Sequence, residues 1–257
     1  MIVKTEALVL KSRRYRETSK IVTFYSEKFG KIKGVAKGAR ETKSRFGAAL
    51  EPMTHVSIVL YKKEHRDLHM ISQSEIVQLF PRLHSDLARI TAGLSVVELM
   101  DAAMHDEEPS ESVFRLVIEI MSELDNATKN LENVLYSFRL RLLDLMGFKP
   151  DFQACVRCKK KLTNLTPHSK TIQFDVQAGG IVCRGCAMRF PRRVNLTLGT
   201  VKILRELQGA ALSDVSKAEI AESSKKEIEE ILKTYTKIHL AGVERLRTEG
   251  LSKKLVV

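Results

Sequence analysis

All four cysteines of the 257-residue chain fall in one segment, as Cys155-Val-Arg-Cys158 and Cys183-Arg-Gly-Cys186. Two thiolates separated by two residues can grip one metal ion from a tight turn. Two such turns complete a tetrahedral Zn²⁺ site with no open position for water. The spacing therefore predicts one structural zinc held by Cys155, Cys158, Cys183 and Cys186, within a module at 151–192. Residues 172–174 and the pair Gly179-Gly180 are expected to form a hairpin between the pairs, and Gly185 to let backbone amides approach the sulfurs. Disulfides and a redox-active pair are the alternatives. Disulfides need an oxidising compartment. The N-terminal stretch MIVKTEALVLKSRR has no long apolar core or small-residue cleavage site, and no apolar run is long enough to span a membrane, so a cytoplasmic location is expected. A redox pair needs one C-x-x-C at a strand-to-helix junction rather than two. His168 lies between the pairs and reads as a surface residue, because four thiolates already complete the set.

The first 80 residues read as β, with strands expected at 2–10, 20–26, 31–37, 53–61 and 68–77. Five short strands over that length suit a small closed barrel. The OB-fold is the five-stranded barrel that binds oligonucleotides, and an SH3-like barrel is the competing arrangement. The long connection at 38–52 favours the OB order. Beyond Pro81 the apolar period becomes helical: Leu83, Leu87, Ile90, Leu94 and Val97, then Val113, Val117, Ile120 and Leu124 after Pro109-Ser110. A third helix at 131–146 is stopped by Gly147 and Pro150. Helices resume after residue 196, where Ser224 and Glu227 read as a capping box ahead of Ile228, Ile231, Tyr235 and Ile238. The fold class is thus α+β: an OB-fold domain at 1–80, then a helical domain at 81–257 interrupted by the four-cysteine module.

Charge is distributed unevenly. The chain carries +12 overall, but residues 1–80 hold 16 basic and 8 acidic side chains, residues 81–150 hold 7 and 12, and residues 151–195 hold 9 and 2. Two basic modules flanking an acidic one point to polyanion binding by the flanks and other work in the middle. Residues 11–45 concentrate 12 basic against 3 acidic residues. In a five-strand barrel, 11–19 becomes the first inter-strand loop, 37–45 the exit of the third strand and 62–66 the last loop, where OB-folds bind oligonucleotides. Arg13, Arg14, Lys33, Lys37, Arg40, Lys43 and Arg45 are the candidate phosphate contacts, with amides freed by Gly34 and Gly38 close by. Around the cysteines, Arg157, Lys159, Lys160, Lys161, Arg184, Arg189, Arg192 and Arg193 offer either a further phosphate contact or a solvated rim.

Aromatic residues make up 6% of the chain, with no Trp, so binding is expected to be phosphate-led and tolerant of sequence. Tyr15 and Phe46 are the candidate base-stacking rings, while one of the neighbours Phe24 and Tyr25 belongs in the core. The strip contains neither G-x-x-x-x-G-K-[ST] nor G-x-G-x-x-G, so mononucleotide binding is not expected. No G-x-S-x-G, H-E-x-x-H or paired-carboxylate motif stands out, and Asp106-Glu107-Glu108 reads as a solvated loop. A non-enzymatic binding protein without a small-molecule substrate is expected.

SRRYRETS at 12–19, GKIKGVAKGAR at 30–40, ALEP at 49–52, LLDLMGFKPDFQACVRC at 142–158 and GGIVCRGC at 179–186 together resemble the bacterial recombination mediator family RecO. The resemblance implies an N-terminal OB-fold, a helical domain and a zinc module. It implies a DNA repair and homologous recombination mediator that binds single- and double-stranded DNA and anneals complementary strands. With RecR, such a mediator loads RecA recombinase onto DNA coated by single-strand-binding protein, in the bacterial cytoplasm at the nucleoid. Onto this chain it carries Arg13, Lys37 and Arg40 as DNA contacts and the four cysteines as zinc ligands. Arg14, Lys33, Lys43 and Arg45 rest on charge and position. The family's helical domain is expected to receive the acidic tail of single-strand-binding protein, and here Arg139 and Arg141 could pair with it or belong to a solvated face. An RNA-binding or ribosome-associated factor with an OB-fold and zinc ribbon is the alternative. A zinc-ribbon enzyme acting on nucleic acid would require acidic metal ligands.

Overall fold

Five strands open the chain, β1 (Ile2–Tyr15), β2 (Ser19–Ser26), β3 (Gly30–Ala36), β4 (His55–Tyr61) and β5 (His69–Gln78), with the clearest alternation of buried and outward side chains in β3 and β4. They close into a barrel in the order β1-β2-β3-β5-β4, an OB-like arrangement as expected. Every neighbouring pair is antiparallel except β3 and β5, which meet in parallel at Gly34↔His69 and Val35↔Met70. The computed structural model describes residues 1–62, 66–161, 170–188, 192–244 and 246–248. The described residues divide into two units: Met1–Asn126 together with residues 246–248, and Ala127–Glu244. No helix among the described residues is long and apolar enough to cross a membrane.

The barrel interior is filled by Val9, Val22, Phe24, Ile32, Ala36, Val56, Ile58, Leu60 and Ile71. Gly34 makes the closure possible, since a Cβ there would sit 2.6 Å from Ile71 Cγ1. Gly34 also pairs with Val22 of β2 and His69 of β5, so its backbone lies between two neighbouring strands and not in the open position expected for a phosphate contact. β1 also runs five residues beyond its expected end. A register shift between Val9 and Lys11 re-phases the strand, and Ser12↔Val22, Arg13↔Ile21 and Arg14↔Lys20 continue the hairpin. Exposed charges do not oppose this pairing, because the ladder bonds use the backbone while the side chains reach water.

Both Phe24 and Tyr25 are fully buried, where one was expected. Phe24 points into the barrel. Tyr25 lies on the outer surface, which α1 (Leu87–Ala103) packs against at β1 and β2. Burial pushes its phenol up to about 12. α1 starts at Asp86, whose carboxylate accepts from the Arg89 amide, so Leu83 falls in a preceding 3₁₀ turn and not in the helix. α2 (Glu111–Asn126) follows α1 in this unit, its buried Asp125 accepting from the Leu83 amide at 2.9 Å.

In the second unit α3 (Leu131–Leu145) ends at Gly147, whose φ of 84° is the left-handed C-terminal turn expected there. β6 (Thr171–Asp175), β7 (Gly180–Val182) and β8 (Arg193–Thr197) form a sheet in the order β7-β6-β8. The hairpin was expected; β8 was not. A short α4 (Arg184–Ala187) follows β7, and α5 (Leu198–Gly209), α6 (Leu212–Val215) and α7 (Glu222–His239) complete the unit. The expected capping box fails, because α7 begins at Glu222 and buries Ser224 inside the helix. Glu227 instead reaches Thr197 at the start of α5, accepting from its amide at 2.8 Å. Phe152 stacks on Phe174, which meets Tyr235 edge-on, and Tyr235 packs on His239, joining the sheet to α7.

Candidate nucleic-acid interface and metal centre

The two cysteine knuckles converge. All four Sγ atoms lie within 4.8 Å of one another, with Cys158 and Cys183 Sγ 3.7 Å apart, and all four are free thiols. A tetrahedron with metal–sulfur bonds of about 2.3 Å places its sulfurs about 3.8 Å apart, so the donor set fits a metal ion of zinc's size. Backbone turns hold the knuckles: the Lys159 amide donates to the Cys155 carbonyl, and the Cys186 and Ala187 amides donate to the Cys183 carbonyl. The left-handed residue is Lys159, with φ of 59°. Gly185 lies in α4, and nothing stands within 4 Å of where its Cβ would be, so the close approach expected of it is not required. Burial alone would raise the Cys155 thiol, but amides of Cys183, Cys158 and Arg157 face its sulfur and hold it at about 6. Such amides favour the thiolate form that a metal needs. His168 and Arg189 lie outside the described residues. Arg157, Lys159, Lys160, Lys161, Arg184, Arg192 and Arg193 are exposed around the module.

On the barrel, the expected phosphate contacts divide into two groups. Arg13 and Arg14 project from the end of β1, and Lys37, Arg40, Lys43 and Arg45 from the connection after β3; all are exposed. The two stretches are joined, because the Arg40 amide donates to the Thr18 carbonyl and its guanidinium to the Glu17 carbonyl at 2.7 Å and the Arg16 carbonyl at 3.3 Å. Arg40 therefore holds the two turns together. Gly38 forms the tight turn beside it, with φ of 70°. Arg13, Arg14, Lys37, Lys43 and Arg45 have no carboxylate within ion-pair distance among the described residues. Phe46 is buried in the barrel core with the Arg45 guanidinium 5.1 Å from its ring, so it is not the base-stacking ring expected. Tyr15 is half-buried, with Arg16 5.2 Å from its ring centroid.

Lys33 belongs to the other group. Its ammonium lies 2.7 Å from Asp106, which also faces Lys31 at 3.5 Å. Glu107 pairs with Lys62 at 2.7 Å and with buried His69 at 3.3 Å. The acidic turn is thus a contact with the barrel and not the solvated loop expected. The sequence carried a signal that went unused, an acidic triplet against a basic strip, but its partners are up to 75 residues away. Of the expected 62–66 loop, residues 63–65 lie outside the described residues. Burial opposes ionisation of Asp106, yet Lys33 and Lys31 outweigh it and hold the carboxyl below its ordinary range. The Lys62 hydrogen bond, with His69 behind it and against burial, does the same for Glu107. Both carboxyls bind protons more weakly folded than unfolded. Their stabilisation is complete above the ordinary carboxylate range and is lost as pH falls through that range to the lower folded values. The melting temperature of the parent should exceed that of the Asp106→Asn/Glu107→Gln variant at neutral pH by a small margin, because half-exposed pairs contribute little. The margin should vanish in an acidic pH series; a margin that persists there would mean that other contacts cause it.

In the second unit Arg141 donates from Nε to the Ser137 hydroxyl at 3.1 Å and from Nη2 to the Ala210 carbonyl. Arg139 is half-buried on the same helix.

A closed five-strand barrel with an exposed cation end, followed by helices and four converging thiols, defines a protein of the OB-like barrel class. The family model described as Recombination protein O N terminal matches residues 1–80, and that described as Recombination protein O C terminal matches residues 84–248. The chain belongs to the RecO family of DNA repair proteins. The DNA repair protein RecO of Desulforamulus reducens is 32% identical over 254 residues, 99% of this chain and 95% of the relative. The protein of the same name from Alkaliphilus metalliredigens is 28% identical over 243 residues, covering 95% and 96%. That of Salinibacter ruber is 43% identical over 149 residues, 58% of this chain and 57% of the relative.

Proposed function

We propose that this RecO-family chain binds single- and double-stranded DNA through the cation end of its barrel and anneals complementary strands. With RecR it helps load RecA onto DNA coated by single-strand-binding protein, in the bacterial cytoplasm at the nucleoid. The carrying observation is the set Arg13, Arg14, Lys37, Lys43 and Arg45, exposed and without carboxylate partners among the described residues, on two turns that Arg40 ties together. Ammonium and guanidinium groups in that arrangement neutralise phosphates and leave base edges free to pair with a second strand. The work is binding and not bond-making, and the four thiols hold one structural Zn²⁺ with no position open to substrate. The acidic tail of single-strand-binding protein docks on the helical unit near Arg139 and Arg141. A tail carboxylate there competes with the Ser137 and Ala210 bonds of Arg141.

The test is a salt titration of oligonucleotide binding. Each phosphate contact to a single strand contributes about −0.7 to the slope of log K against log salt. Arg14→Ala/Lys37→Ala should therefore flatten that slope by roughly 1.4, equally for unrelated sequences, with annealing slowed in parallel. Arg40 is left in place, since removing it would also release the turn. An unchanged slope refutes the interface, and a loss confined to one sequence would mean that these residues read bases.

A further inference from the structure

The outer face of β3 and the end of β4 carry a second cation group, Lys31, Lys33 and Lys62, with the buried His69 of β5 beside it. In an OB-like barrel the face of strands 2 and 3 and the loop between strands 4 and 5 take oligonucleotides. Lys31 and Lys33 lie on that face, and Lys62 opens that loop. Here the place is occupied. Asp106 spans Lys31 and Lys33, and Glu107 spans Lys62 and His69. The backbone follows the strand too: the Glu107 amide donates to the Lys31 carbonyl at 2.9 Å, and Lys31 and Asp106 form a parallel bridge. Lys31 Nζ also donates to the Asp101 carbonyl at 2.9 Å.

Two consecutive carboxylates laid along a strand, each accepting from a lysine, present what two consecutive phosphates would present. We infer that the Asp106–Glu107 turn is a resident phosphate mimic that masks a second polyanion surface formed by Lys31, Lys33 and Lys62. Both carboxylate side chains are about half exposed, at 50% and 47%. Pairs of that exposure are weak and screened by salt, so a nucleic-acid strand of many charges can displace them. The turn sets how much of the barrel a bound strand occupies: the cation end alone while it is docked, and the face of β3 as well once it leaves. The inference rests on the nucleic-acid reading above.

The isosteric variant Asp106→Asn/Glu107→Gln tests it in the full chain, with oligonucleotide as the probe. Two freed lysines, Lys33 and Lys62, should steepen the salt slope by about 1.4. Adding Lys33→Gln to that variant should remove about 0.7 of the gain. Glu75→Gln/Glu119→Gln changes net charge equally at exposed positions away from the turn and should leave the slope at the parent value. An unchanged slope in the turn variant, while Arg14→Ala/Lys37→Ala still flattens it, overturns the mask and leaves the interface intact. Equal steepening in the charge control also overturns it, because net charge would then be the cause. Should the double variant melt abnormally, Asp106→Asn alone keeps the Glu107 contacts and must still gain about 0.7 in slope.

Discussion

Replacing Cys155 and Cys183 by Ser together should take the protein from about one zinc per chain to none and unfold the metal-binding segment. A structural zinc contributes roughly 10–16 kcal/mol of apparent folding free energy in small zinc domains. A whole domain is stable by only about 5–15 kcal/mol, so no margin remains once the ion is lost. The local core cannot compensate. Around the cysteines it consists of Val182 and Ala187 with half-buried Val156, all packed on Cys155 itself. Hydrogen exchange should rise first in the Cys155–Lys161 turn and in β7 and α4, while the barrel amides of β1 to β5 stay protected. Metal analysis, exchange and melting on the same preparation decide it. A variant that keeps one zinc and the parent's melting profile would contradict the structural-site reading.

The second large effect is expected at Gly30. Its φ is 62°, and a Cβ would lie 2.2 Å from the Glu108 carbonyl oxygen and 2.8 Å from the Pro109 nitrogen. These are backbone atoms, which cannot swing aside as a side chain would. Gly30→Ala therefore incurs about 1–2 kcal/mol for the left-handed conformation and roughly 1–3 more for overpacking. A loss of about 3 kcal/mol lowers the melting temperature of a chain of this size by roughly 6–12 °C. Gly47→Ala is the matched comparison. Its φ is 49° with nothing within 4 Å of the added methyl, so it should show the conformational cost alone. Equal shifts for the two variants would mean that the 106–109 turn yields freely to β3. The Gly30 variant should also begin to release Asp106 and Glu107 from their lysines, steepening the salt slope in the direction expected of the charge variant.

Short-range periodicity made much of this molecule legible. The five strands, the helices after Pro81, the hairpin between the cysteine pairs and the Gly147 stop follow from side-chain alternation and turn chemistry, which act over a few residues. The convergence of four thiols was likewise readable, because two knuckles of fixed spacing have one economical way to satisfy a single ion. What failed was decided by residues far apart. Gly34 looks like a glycine that opens its strand to a phosphate until Ile71 stands against it. Phe46 looks like an exposed ring until the barrel closes over it. Ser224 and Glu227 have the spacing of a cap, yet Glu227 is drawn to Thr197, thirty residues away.

The same division runs through the candidate interface. Composition alone determined that 11–45 would carry a strong positive field, since charge sums without regard to fold. Which cations remain open to a phosphate was decided only in three dimensions. Lys33 and Lys43 are equal as sequence, but Lys33 meets the 106–107 turn on the outer face of β3 and Lys43 faces solvent. An ion pair depends on separation in space, and only the seating of the α1–α2 connection along β3 brings residues 33 and 106 within 2.7 Å.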